Sequence, residues 1–223
     1  MPKLPLAQDI AQRLAAAIAL RGVAVLCVSG GKSPIALFEA LRVQPIDWSR
    51  VRVTLTDERC VTCTHPDSNA SLVRQHLLQD RASAAQFVPL VAEEHEPLPS
   101  PAILAQTASR ALQAAGRVDV LVLGMGADGH TASLFPQAPN LVEALDPNNP
   151  EACVTIEPPA SAPYARVTQT LAQLLRARHI VLPLSGADKL ATLRLARLSI
   201  SNQYPISHVL HQTLTPVALW LNE

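Results

Sequence analysis

His130 is the side chain in this chain best suited to moving protons, because imidazole takes up and returns a proton near neutral pH. It closes the segment Gly124-Met125-Gly126-Ala127-Asp128-Gly129-His130, which follows the apolar run 118–123. Three glycines at the exit of a strand let the backbone come close to a ligand. Asp128, two residues before the imidazole, is placed either to orient that ring or to hold a sugar hydroxyl. The chain has only eight glycines, and six of them (Gly30, Gly31, Gly124, Gly126, Gly129 and Gly186) fall in three short loops. Such clustering marks ligand loops rather than ordinary turns.

Three further groups carry charge or polarity suited to a ligand. Ser29-Gly30-Gly31 precedes a helix with Pro34 near its first turn, where free N–H groups and the helix dipole favour an anion. A nucleotide P-loop needs a glycine six positions before its lysine, and position 26 is leucine, so Ser29–Ser33 is not one. The role of Lys32 stays open. Lys189 lies in the first turn of a helix, where the dipole disfavours a cation; it either meets an anionic ligand or is solvated. Arg166 stands just before a second helix start. The two cations are suited to grip one phosphate, the arginine fork in bidentate fashion. Asp57-Glu58-Arg59 is a charged cluster at a strand end, either facing the ligand or forming a solvated turn.

Two familiar motifs fail on inspection. Gly124-x-Gly126-x-x-Gly129 resembles a dinucleotide fingerprint, which needs a long helix and an acidic strand end about 20 residues on. Pro136 cuts any helix short, and no strand precedes Glu143 or Asp146. Cys60-x-x-Cys63 with His65 lacks the second ligand pair of a structural zinc site. With Cys27 and Cys153, these read as reduced thiols.

The elements that must position these residues alternate. Helices are expected over 5–20, 35–41, 68–78 (capped by Ser68 or Asn69), 100–115, 168–177 and 188–198; strands over 23–28, 51–55, 118–123, 179–184 and 217–221. The Pro-rich stretches 89–101 and 136–163 read as loops. Strands alternating with helices predict an α/β fold with a largely parallel sheet covered on both faces. In such sheets ligands bind beyond the carboxyl ends of the strands, and the segments at Ser29, Asp57, Gly124 and Ser185 all fall there. Four loops distant in sequence are thus expected to share one crevice.

At 223 residues and 48% hydrophobic composition, residues 1–223 are expected to form a single domain with an aliphatic core, since only seven residues are aromatic. Lysine plus arginine equals aspartate plus glutamate at 18 each, without the basic excess of a nucleic-acid binder. No apolar stretch is long enough to span a membrane, and residues 1–20 lack the pattern of a signal peptide. A cytoplasmic location is expected, with no nucleic acid and no membrane as partner.

Together, Ser29-Gly30-Gly31, Thr56-Asp57-Glu58-Arg59, Ser68-Asn69, the thirteen residues from Gly124 to Pro136, Arg166-Val167-Thr168 and Ser185-Gly186-x-x-Lys189 resemble the 6-phosphogluconolactonases. The related glucosamine-6-phosphate deaminases share the loop through Asp-Gly-His but continue Ile-Ala-Phe-Asn-Glu-Pro, where this chain has Thr-Ala-Ser-Leu-Phe-Pro. The resemblance implies a modified Rossmann-like three-layer αβα sandwich, similar to the deaminases and ribose-5-phosphate isomerases. It implies hydrolysis of 6-phosphoglucono-1,5-lactone to 6-phosphogluconate without metal or organic cofactor. For such a substrate, Arg166, Lys189 and the backbone of Ser29, Gly30 and Gly31 are expected to anchor the phosphate, and His130, with Asp128, to act on water. Arg59 or loop N–H groups would face the oxyanion, and Asp57 and Gly126 are expected among the substrate-binding residues. The alternative is a deaminase or sugar-phosphate isomerase on the same fold, with Asp57 as base.

Overall fold

The computed structural model describes residues 5–159 and 162–222. Helix α1 (Leu6–Arg21) buries Ala7, Ile10, Ala11, Leu14 and Ala17 along one stripe and stops where Gly22 turns left-handed, its N–H bonded to the Ile18 carbonyl. Strand β1 (Ala24–Val28) is buried throughout. Helix α2 (Ile35–Arg42), strand β2 (Val51–Leu55), the short strand β3 (Asp57–Arg59) and helix α3 (Asn69–His76) follow. Next come β4 (Gln86–Phe87), α4 (Pro101–Ala115), β5 (Val120–Val122), α5 (Leu141–Ala144) and β6 (Cys153–Ile156). The chain continues through β7 (Arg166–Gln169), α6 (Leu171–Leu174), β8 (Ile180–Ser185), α7 (Ala187–Ala196), α8 (Ile206–Leu210) and β9 (Val217–Asn222).

Six strands form one sheet in the order β4-β2-β1-β5-β8-β9, every pair parallel. Its two faces bury different side chains, as the two-residue period of a strand demands. Ala24, Leu26 and Val28 of β1 and Val120 and Val122 of β5 join one core with residues of α1, α2, α3 and α4. Val25, Cys27, Leu121 and Leu123 face a second core with residues of α5, α6, α7 and α8. The fold is therefore the expected three-layer αβα sandwich around a mostly parallel sheet. A second, antiparallel sheet, β3-β7-β6, stands beside it.

From β1 the chain moves outward to β2 on one side, while β5 lies on the other, so the strand order reverses between β1 and β5. A crevice opens beyond the carboxyl ends of strands at such a point. The loops leaving β1 and β5 are those of Ser29 and Gly124.

Several expectations are corrected. Arg166–Gln169 is a strand, not the run-up to a helix starting at 168. Both sides of that strand are enclosed, and the helix starts only after Thr170, whose side chain accepts from the Gln173 N–H. The stretch 136–163 holds α5 and β6 rather than loops alone, although residues 160–161 lie outside the described ones. Asp57-Glu58-Arg59 is a paired strand rather than a solvated turn. Among the described residues no helix is long and apolar enough to cross a membrane; the reading of residues 1–4 as free of a leader falls outside them.

Candidate active site

A cleft of about 670 Å³ lies at the β1/β5 reversal. Ser29, Gly30, Gly31, Asp57, Arg59, Gly126, His130, Arg166 and Lys189 all line it. Asp128 stands behind the imidazole. The four loops predicted to converge do so.

The loop after β5 holds His130 by several independent ties. Its peptide N–H donates to Asp128 Oδ1 at 3.1 Å, its carbonyl accepts from the Gly126 N–H at 2.9 Å, and its ring packs on Phe135 with centroids 4.8 Å apart. The loop is braced from outside by Thr192 of α7, which donates to the Ala127 carbonyl at 2.6 Å, and by the Ile206 N–H of α8 to the Gly129 carbonyl at 3.0 Å. Nδ1 of the ring meets Asp128 Oδ1 at 2.6 Å. The carboxylate only accepts, so Nδ1 is the donor, and in the neutral ring the lone pair is left on Nε2. That hydrogen bond is also the main reason the Asp128 carboxyl titrates below its ordinary value. Glycine at 126 is a steric requirement: a Cβ there would lie 2.3 Å from the imidazole and 2.5 Å from the Asp128 carboxylate.

Ser29 ties the two strand exits together. Its hydroxyl donates to the Val122 carbonyl at 3.1 Å and accepts from the Gly124 N–H at 2.7 Å. Beyond it, the N–H groups of Gly30, Gly31, Lys32 and Ser33 take no hydrogen bond among the described residues, and Gly31 adopts φ +84°. Such a turn at a helix start is an anion cradle. Lys189, in the first turn of α7, reaches across to donate to Ser33 Oγ at 3.2 Å. Lys32, whose role the sequence left open, is exposed and does not line the cleft.

Strand β3 serves two ends. Glu58, fully buried, accepts from the N–H groups of Arg59, Asn69 and Ala70 and from Ser68 Oγ, and so closes the start of α3 alongside the Ser68 cap. Burial pushes its carboxyl up, and the four donors pull it back. Asp57 accepts from Thr56 Oγ1 at 2.8 Å and Ser133 Oγ at 2.6 Å. Arg59 stands directly opposite Arg166 in the β3/β7 ladder. One nitrogen of Arg166 is held by the carbonyls of Pro163 and Tyr164 at 2.6 and 2.7 Å. Burial first, and then Arg59, lower the proton affinity of the Arg166 guanidinium.

Neither Ser133 nor Asn69 is given a ligand role by the sequence. Ser133 sits inside the thirteen-residue loop, and only the fold reveals that its hydroxyl reaches Asp57. Asn69 was seen as a cap candidate, whereas Ser68 takes that role and Asn69 lines the cleft. The Cys60 and Cys63 pair lies outside this site. Burial pushes the Cys60 thiol up to about 11, Cys63 belongs to the core, and no cluster of three or more metal-ligating side chains occurs among the described residues.

Residues 4–219 match the family described as glucosamine-6-phosphate isomerases/6-phosphogluconolactonase. A 6-phosphogluconolactonase of Pseudomonas putida is 45% identical over 210 residues, covering 94% of this chain and 85% of the relative. The crystal structure of a 6-phosphogluconolactonase from Shewanella baltica superposes with a TM-score of 0.90 at 41% identity, over 98% of this chain and 91% of that one. That of Thermotoga maritima, at 22% identity and a TM-score of 0.78 over 97% and 94% of the two chains, shows the same fold. The chain belongs to the glucosamine-6-phosphate isomerase/6-phosphogluconolactonase family.

Proposed function

We infer that this chain hydrolyses 6-phospho-D-glucono-1,5-lactone to 6-phospho-D-gluconate, the second step of the oxidative pentose phosphate pathway, in the cytoplasm. The observation that carries the reading is the Asp128–His130 pair at a cleft that also gathers Arg166, Lys189 and the unbonded N–H groups after Ser29. The names of the relatives support the same reaction. The contributing loops run from residue 29 to 189, which supports one domain over residues 1–223.

The substrate is a cyclic ester with a phosphate at its far end. Arg166, Lys189 and the backbone of Ser29, Gly30 and Gly31 anchor that phosphate and so fix the position of C1. His130 Nε2 takes a proton from water as its oxygen attacks C1. Asp128 holds Nδ1–H and stabilises the imidazolium that forms. The C1–O bond to the ring then breaks, and the imidazolium returns its proton to the departing ring oxygen. Arg59 or an unbonded loop N–H faces the carbonyl oxygen as its charge grows, the Gly126 N–H being already bonded to the His130 carbonyl.

A deaminase or isomerase would need a free base to take a proton from carbon. Asp57 is a poor one, since each of its oxygens already accepts from a hydroxyl. Phe135 stands in the loop tail where the deaminases carry glutamate.

The test is an assay with lactone generated in situ at pH near 7, read as excess over spontaneous hydrolysis, with glucosamine-6-phosphate as the counter-substrate. Lactone turnover without deamination is expected, and His130→Asn should lower it by about 100-fold or more at unchanged folding. Wild-type protein that adds nothing to the buffer rate would overturn the reading.

A further inference from the structure

Arg59 and Arg166 stand opposite each other in the β3/β7 ladder, where two like charges repel and hold their places only if each is tethered. Each is, through one nitrogen. Arg59 Nη1 donates to the Asp67 carbonyl, in the loop between β3 and α3. Arg166 Nη1 donates to the carbonyls of Pro163 and Tyr164, in the segment that leads into β7. The two tethers meet at one side chain. Tyr164 Oη donates to Asp67 Oδ2 at 3.3 Å, and its ring meets His65 edge-on with centroids 5.5 Å apart. His65 Nδ1 in turn accepts from the Asp67 N–H at 3.0 Å, so the imidazole, the Asp67 carboxylate and the carbonyl that holds Arg59 belong to one turn.

The backbone of Tyr164 shows that this contact is kept against a cost. Its φ is +69°, in the left-handed region where a bulky side chain is an outlier and glycine sits without penalty. Such strain persists where the surroundings fix it, and it gathers at functional sites. Here it accompanies two successive carbonyls turned toward a single guanidinium nitrogen. Glycine would permit that turn but would carry neither ring nor hydroxyl to the Asp67 loop. The tyrosine is 38% exposed and does not line the cleft, so neither core packing nor contact with a ligand accounts for it.

We propose that Tyr164 is a positioning residue: with its carbonyl on Arg166 and its hydroxyl on Asp67, which holds Arg59, it sets how the two guanidinium groups stand toward each other. It acts on a bound anion only through them. The assignment rests on the reading of the cleft as a sugar-phosphate site.

The test is calorimetric titration of wild type, Tyr164→Gly and Tyr164→Phe with two probes, 6-phosphogluconate and inorganic phosphate, beside the Tm of each protein without ligand. Tyr164→Gly relieves the backbone while releasing the Asp67 loop, so its Tm should hold or rise while both probes bind about 5- to 10-fold more weakly. Tyr164→Phe keeps the ring and removes only the hydroxyl, and a loss of about 2- to 3-fold for both probes is expected. Unchanged affinity in either variant would overturn the proposal. So would a fall in Tm of the glycine variant alongside its weaker binding, since Tyr164 would then be a prop of the loop; a glycine variant that does not fold counts as that fall. Wild type that binds both anions yet adds nothing to lactone hydrolysis would overturn the lactonase reading alone, and wild type that binds neither would overturn both.

Discussion

A carboxylate can only accept a hydrogen bond, and at Asp128 that restriction chooses the tautomer of His130. An amide at 128 would donate to Nδ1 as readily as accept from it, and would turn the lone pair away from the cleft. Asp128→Asn is therefore expected to lower kcat by about 10-fold or more while leaving KM near its original value. The same pair has a pH signature. The folded-state pKa of Asp128 is depressed, so its contribution to stability is present above the ordinary carboxylate value of about 4 and fades as pH falls through the lower folded value. Thermal melts should show wild type above Asp128→Asn at pH 6, by a modest margin because the carboxylate is half exposed, and the two converging toward pH 2. His130, Asp128 and the glycines were legible in the sequence because they are adjacent in it. The Ser133–Asp57 and Tyr164–Asp67 bonds were not, since each depends on segments that only the fold brings together.

At the scale of elements, the least legible part was the small sheet β3-β7-β6. Its strands are three or four residues long, too short for alternation to register, and Thr168 and Gln169 are polar yet buried. Gln169 is satisfied by the Leu55 carbonyl at 2.7 Å and Thr168 Oγ1 by the Ser133 N–H at 3.2 Å, partners distant in sequence. The long helices and the apolar strands β1, β2, β5, β8 and β9 were legible because each carries an unbroken period or an apolar run. Glu58 shows how the small sheet holds a helix: one carboxylate closes the start of α3 with four donors. In Glu58→Gln the amide NH2 confronts donors that the carboxylate had satisfied. A loss of about 2–4 kcal/mol is expected, seen as a fall in Tm of about 5–15 °C.

Over the whole molecule, the parallel sheet divides labour between its two ends. The carboxyl ends of β1 and β5 carry the cleft, whereas Asp119, just before β5, ties the opposite end: it accepts from the Val25 N–H at 2.9 Å and pairs with Arg21 and Arg178. Asp119→Asn should reduce stability by about 1–3 kcal/mol, read by urea unfolding, while KM and kcat of the folded enzyme stay unchanged. The cleft end has the opposite character, because Arg59 and Arg166 face each other in one ladder and like charges so placed repel. The phosphate site proposed there would relieve that repulsion, and any ligand that binds only the folded chain stabilises it, so at 100 times its Kd 6-phosphogluconate should stabilise the fold by about 2.7 kcal/mol and raise Tm by about 5–10 °C. Pulse proteolysis with and without 6-phosphogluconate measures the same difference. Two arginines set face to face thus predict an enzyme whose resistance to proteolysis rises with the concentration of its phosphorylated ligand.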